Sequence, residues 1–125
     1  MATESKTILV IEDERTLREP LAAKLTAEGF TVLEASNGQE GLDMALRQHP
    51  DLLILDVVMP VMDGWTMLDA LHQDAWGKTA QVIMLTNLDD PQTVLKSLHN
   101  GAPNVLVKVD WTITDLVEEI RQKLV

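Results

Sequence analysis

The chain has 125 residues, with 20 Asp+Glu against 10 Lys+Arg for a formal net charge of −10, a hydrophobic fraction of 46% and no cysteine. That size suits one domain and lets roughly two-thirds of the extended surface be buried, which excludes a disordered or staple-dependent chain. The missing cysteines exclude disulfides, thiolate zinc sites and cysteine nucleophiles, and the acidic balance argues against direct binding to nucleic acid or anionic lipid.

In chain order, residues 1–5 read as a flexible N-terminus, followed by the β-branched strand Thr7–Ile11, which Glu12-Asp13-Glu14 stops. Leu17, Leu21 and Leu25 recur every four residues, a helical spacing, and Gly29 closes that helix. Pro20 inside it should kink the axis or delay its start. A second strand is expected from Phe30 to Ala35. Asn37-Gly38 then opens a helix with Leu42, Met44, Ala45 and Leu46, closed by His49-Pro50. Leu52 to Leu55 is apolar at every position, as a strand covered on both faces requires. Asp63-Gly64 precedes a helix with Met67, Leu68 and Leu71, and Gln81 to Leu85 forms a fourth strand. Asp89-Asp90-Pro91 starts a fourth helix that Asn100-Gly101 stops. Asn104 to Val107 is a fifth strand, and Thr112 to Leu124 a last helix with Ile113, Leu116, Val117, Ile120 and Leu124 on one face.

Five strand–helix units in alternation define an α/β class: a doubly wound, five-stranded parallel sheet with five helices, in the flavodoxin-like order 2-1-3-4-5. Ligands bind such folds outside the carboxyl ends of the strands. Glu12, Asp13 and Glu14, then Asp56, then Thr86 and Asn87, and finally Lys108 fall at those ends. Carboxylates without His or Cys make a hard-oxygen site suited to Mg²⁺. An Asp beside such an ion and an ammonium can act as a nucleophile toward phosphorus, with a hydroxyl donating to the phosphoryl oxygens.

These residues carry a resemblance. Ile11-Glu12-Asp13-Glu14, the stretch Leu53 to Gly64 with its D-x-x-M-P-x-M-D-G pattern, Leu85-Thr86, Gly101-Ala102 and Lys108 resemble the receiver domain of two-component response regulators over nearly the whole chain. The resemblance implies Asp56 as phosphoacceptor. It implies Mg²⁺ bound by Asp13, Asp56 and the backbone carbonyl of Val58, with Glu12 acting through a water. Thr86 and Lys108 would each hold a phosphoryl oxygen. Val105, Trp111 and Lys96 would lie on the switch and partner face. The implied partners are a histidine kinase or histidine phosphotransfer domain and an unidentified downstream protein. The protein itself would be a monomer or a phosphorylation-dependent dimer, signalling by changed partner affinity rather than turning over substrate.

Four positions depart from the family's usual pattern. Val109 follows Lys108 where Pro is usual, and a cis bond to a non-Pro residue costs about 2.5–4 kcal/mol, so a trans bond is expected. Val105 stands where Tyr or Phe is usual, so the state cannot be transmitted by a moving ring. Asn87 is larger than the usual small residue. Val58 and Leu88 are apolar and cannot orient an attacking water, so slow self-dephosphorylation is expected.

Other readings fit less well. A degenerate receiver, binding partners without phosphorylation, is favoured only by Val105 and Val109. An aspartyl-phosphate hydrolase of the haloacid dehalogenase type needs a second Asp where Val58 stands. A flavin carrier needs a phosphate loop where Glu12-Asp13-Glu14 would repel phosphate. The three His show no metal spacing and read as solvated surface groups, while Trp65 and Trp76 read as packing residues. No signal peptide opens the chain and no apolar run approaches the roughly 18 residues that span a bilayer. The expectation is a cytoplasmic, soluble single domain, residues 1–125, without an output domain.

Overall fold

The computed structural model describes residues 6–57, 59–86, 104–107 and 112–124, with side chains for all of these but 86 and 104–107. Five parallel strands, β1 (Thr7–Ile11), β2 (Thr31–Ala35), β3 (Leu52–Asp56), β4 (Val82–Thr86) and β5 (Asn104–Val107), form one sheet in the order β2-β1-β3-β4-β5. Four α-helices are described: α1 (Arg15–Ala27), α2 (Gly38–Gln48), α3 (Gly64–Leu71) and α4 (Ile113–Lys123), with a 3₁₀ turn at Gly77–Thr79. The helix expected between β4 and β5 falls outside the described residues, so the count of five helices is not reached among them.

Strand parity builds two cores. On one face Leu9, Ile11, Leu53, Leu55, Val82 and Met84 pack with Ala45, Met67, Leu68 and Leu71 of α2 and α3. On the other, Ile8, Val10, Leu52, Ile54, Ile83 and Leu85 pack with Leu21 and Leu25 of α1 and Leu116, Val117 and Ile120 of α4. β3 is buried at every position, as its unbroken apolar run requires. α4 begins with a reciprocal cap: Asp115 N–H donates to Thr112 Oγ1, and Thr112 N–H donates to the Asp115 carboxylate. At the far end of the molecule Arg121 pairs with Glu28 at 2.8 Å and lies over the Phe30 ring. Arg121 and Lys24 together hold the Glu28 carboxyl below its usual value.

The structure adds to three of the sequence readings. Of the three leucines spaced along α1, Leu21 and Leu25 are buried and Leu17 is 47% exposed. A four-residue step turns about 400° around a helix, so the stripe drifts about 40° per step and leaves the core by the second. Pro20 does not delay α1, which starts at Arg15 with Leu17 and Arg18 N–H both donating to the Glu14 carbonyl. His49 is exposed but not merely solvated: in a left-handed conformation at the end of α2, it stacks on Trp76 with ring centroids 4.2 Å apart.

Candidate functional site

The strand order places the site. From β1 the chain crosses to β2 on one side, and from β2 it returns past β1 to β3 on the other. The loops leaving the carboxyl ends of β1 and β3 therefore diverge, and a crevice opens between them. Glu12 and Asp13 follow β1 directly and Asp56 ends β3, so all three border that crevice. Each offers a carboxylate oxygen within 4.8 Å of the other two. Glu12 and Asp56 are each only 4% exposed, and Asp13 is half-buried.

Three carboxylates so close repel one another. At an effective dielectric constant of about 20 each pair costs on the order of 3 kcal/mol, less where solvent reaches Asp13. A small divalent cation offsets that repulsion. Among the described residues the donor set is all oxygen with no His or Cys, which suits Mg²⁺ rather than zinc.

The two turns that carry these groups are held differently. Glu12 N–H donates to the Ala35 carbonyl of β2 at 3.1 Å, and Glu14 N–H donates to Glu12 Oε1 at 3.3 Å. After β3, Val57 N–H donates to Leu85 and Gly64 N–H donates to the Val57 carbonyl at 2.8 Å. A Cβ on Gly64 would overlap the Asp56 carbonyl oxygen, so this contact requires glycine. Asp63 caps α3 by accepting from Thr66 N–H at 2.8 Å. Between them, Met62 N–H closes a three-residue turn on the Pro60 carbonyl, with exposed Val61 at φ 70°, a backbone conformation β-branched residues rarely adopt. The D-x-x-M-P-x-M-D-G pattern is therefore a turn that seats α3 against the strand bearing Asp56.

Thr86 ends β4 rather than following it, opposite Val107 in the register, and Val105 lies in β5 opposite Met84. Their side chains, and residues Val58, Asn87, Leu88, Lys96, Lys108, Val109 and Trp111, lie outside what the structure describes. The sequence reading named Glu12, Asp13 and Asp56, and the fold brings them together. It missed Arg18, whose guanidinium reaches back from α1 to the Glu12 carbonyl. Beside Glu12 there is also an apolar groove of about 180 Å³ bordered by Leu17, Pro20, Leu21, Leu85 and Ile113.

A doubly wound parallel sheet with an acidic crevice at its switch point and this turn after β3 defines a class, and the comparisons identify it. The family model described as "Response regulator receiver domain" matches residues 8–121, so the chain belongs to that family. It is 36% identical over 117 residues to "Transcriptional regulatory protein PcoR" of Escherichia coli, a match covering 94% of this chain and 50% of that protein. It is 39% identical over 104 residues to "Response regulator PleD" of Caulobacter vibrioides, covering 83% of this chain and 23% of the relative. The chain thus spans half or less of these relatives' lengths. Among solved structures, the signal receiver domain of a signal transduction histidine kinase from Syntrophus aciditrophicus superposes with TM-score 0.87 at 33% identity, covering 96% of this chain and 90% of that one. The chemotaxis protein CheY4 of Vibrio cholerae gives TM-score 0.87 at 27% identity, covering 97% and 100%.

Proposed function

We propose that this chain is a phosphoacceptor that signals through its phosphorylation state. The observation that carries the reading is the convergence of the Glu12, Asp13 and Asp56 carboxylates at the switch point. In this reading Asp13, Asp56 and the backbone carbonyl of Val58 hold Mg²⁺, with Glu12 acting through a water. The ion, when bound, supplies positive charge beside the reacting carboxylate. Asp56 attacks the phosphorus of a phosphorylated histidine on a kinase or phosphotransfer domain. An O–P bond forms, the P–N bond breaks, and the imidazole leaves. Thr86 donates to one phosphoryl oxygen and Lys108 pairs with another, so charge is neutralised without an acid–base pair. In this reading the donor docks on the apolar groove beside Glu12.

The protein in this reading carries a phosphoryl group and is not a turnover enzyme. Its output is a phosphorylation-dependent contact with a downstream protein through the face holding Lys96, Val105 and Trp111, within the cytoplasm. No described helix is long and apolar enough to cross a membrane. The test is incubation with acetyl phosphate and Mg²⁺ followed by intact-mass measurement. The wild type should gain one phosphoryl group and Asp56→Asn none. No gain in the wild type would overturn the reading and leave an interaction module that works without phosphorylation.

A further inference from the structure

Glu12 is tied at both of its backbone polar groups. Its N–H donates to Ala35 O on β2 at 3.1 Å, and its carbonyl accepts from Arg18 Nη1 at 2.8 Å. Arg18 Nε donates in turn to Glu34 Oε1 at 3.2 Å, and Glu34 immediately precedes Ala35 on the same strand. The circuit is closed: β1 end to β2, β2 to Arg18, Arg18 back to the β1 end. Arg18 is anchored by its own backbone, whose N–H donates to Glu14 O in the first turn of α1. Its side chain is only 16% exposed.

Peptide units are rigid planes, so holding the N–H and the C=O of one residue fixes the planes on both of its sides. The plane that contains the Glu12 carbonyl also contains the Asp13 N–H. Fixing it removes one of the rotations that aim the Asp13 side chain. We infer that Arg18 is a positioning residue that sets the Glu12–Asp13 turn for a divalent cation, acting through the Glu12 backbone and never touching the ion. The inference rests on the metal-binding reading of this site. With its Glu34 end 43% exposed, the Arg18–Glu34 pair contributes little to stability by itself, so the single Nη1 bond to the Glu12 carbonyl carries the role.

The sign of the effect separates this role from a purely electrostatic one. Arg18 is a cation beside an acidic site. If only its charge mattered, removing it would tighten Mg²⁺ binding. If it positions the turn, removing it weakens binding despite the more negative site. The experiment is a MgCl₂ titration followed by two-dimensional amide NMR, which also reports folding. Arg18→Met should remain folded and bind Mg²⁺ about tenfold more weakly, the low end of outer-shell effects. Arg18→Lys keeps the charge but cannot grip both partners with a planar fork, and should lose roughly threefold, so Lys restores part of the affinity. Arg121→Met, which frees α4 from Glu28 far from the crevice, should leave Mg²⁺ affinity unchanged even where it lowers thermal stability.

Wild-type or tighter binding in folded Arg18→Met and Arg18→Lys would overturn the inference while leaving the metal site intact. Should Arg18→Met fail to fold, Arg18→Lys decides at constant charge. A wild type whose Asp13 and Val57 amides ignore Mg²⁺ would instead remove the metal site itself, and the role of Arg18 with it.

Discussion

The turn after β1 and the turn after β3 deliver carboxylates to the same crevice by opposite means. The β1 turn is held by a side chain: Arg18 reaches back from α1 and grips the Glu12 carbonyl. Its helix starts after Glu14, which provides no side-chain cap. The β3 turn is held by the absence of a side chain: Gly64 lets α3 seat directly on the Asp56 carbonyl, and Asp63 caps that helix. A steric lock is insensitive to charge, whereas a guanidinium clamp responds to charge and geometry around it. The difference suits the roles proposed for the two turns. Asp56 must stay in place while its charge state changes on phosphorylation. Glu12 and Asp13 must accommodate a cation that comes and goes.

The largest way to break the comparison is Gly64→Ala. The added methyl meets strand backbone rather than a yielding side chain, so the variant should lose about 3 kcal/mol in urea unfolding, the upper part of the usual overpacking range. A loss under 1 kcal/mol would show that the β3 turn is not sterically locked. Next is the cap. Asp63→Ala removes the acceptor for Thr66 N–H and should cost about 1 kcal/mol by the same measurement. The smallest effect sharpens the contrast from the other side. Glu14→Asn gives α1 the cap it lacks and should stabilise by about 0.5 kcal/mol, visible as a small rise in the thermal midpoint. If Glu14→Asn instead destabilises, the first turn of α1 is already satisfied by other means and the two turns differ less in how they are held.

Much of this was legible in residues 7–86 before any fold was known. Parity along Ile8-Leu9-Val10-Ile11 and Leu52-Leu53-Ile54-Leu55 requires a sheet covered on both faces, and the cores on its two sides divide those residues alternately. Asn37 and Asp63 were readable as helix starts because a short side chain that accepts from the third residue onward is a local device. The spacing of Leu17, Leu21 and Leu25 showed the helix but not which of them is buried, because a four-residue repeat drifts around the helix axis. His49 is at the surface as read, but its stack on Trp76 was not legible because the two rings lie on different elements of the chain.

Local chemistry therefore determined the elements, their order and the identity of the acidic residues, since each depends on neighbours a few positions away. Tertiary structure decided what those residues become together. Glu12 and Asp56 are more than forty positions apart, and only the reversal of strand order between β1 and β3 brings their oxygens within 4.8 Å of each other. Arg18 carries no motif of its own. Its place beneath the Glu12 carbonyl arises because the first turn of α1 and the edge strand β2 flank the same strand end, a proximity that spacing along the chain does not encode.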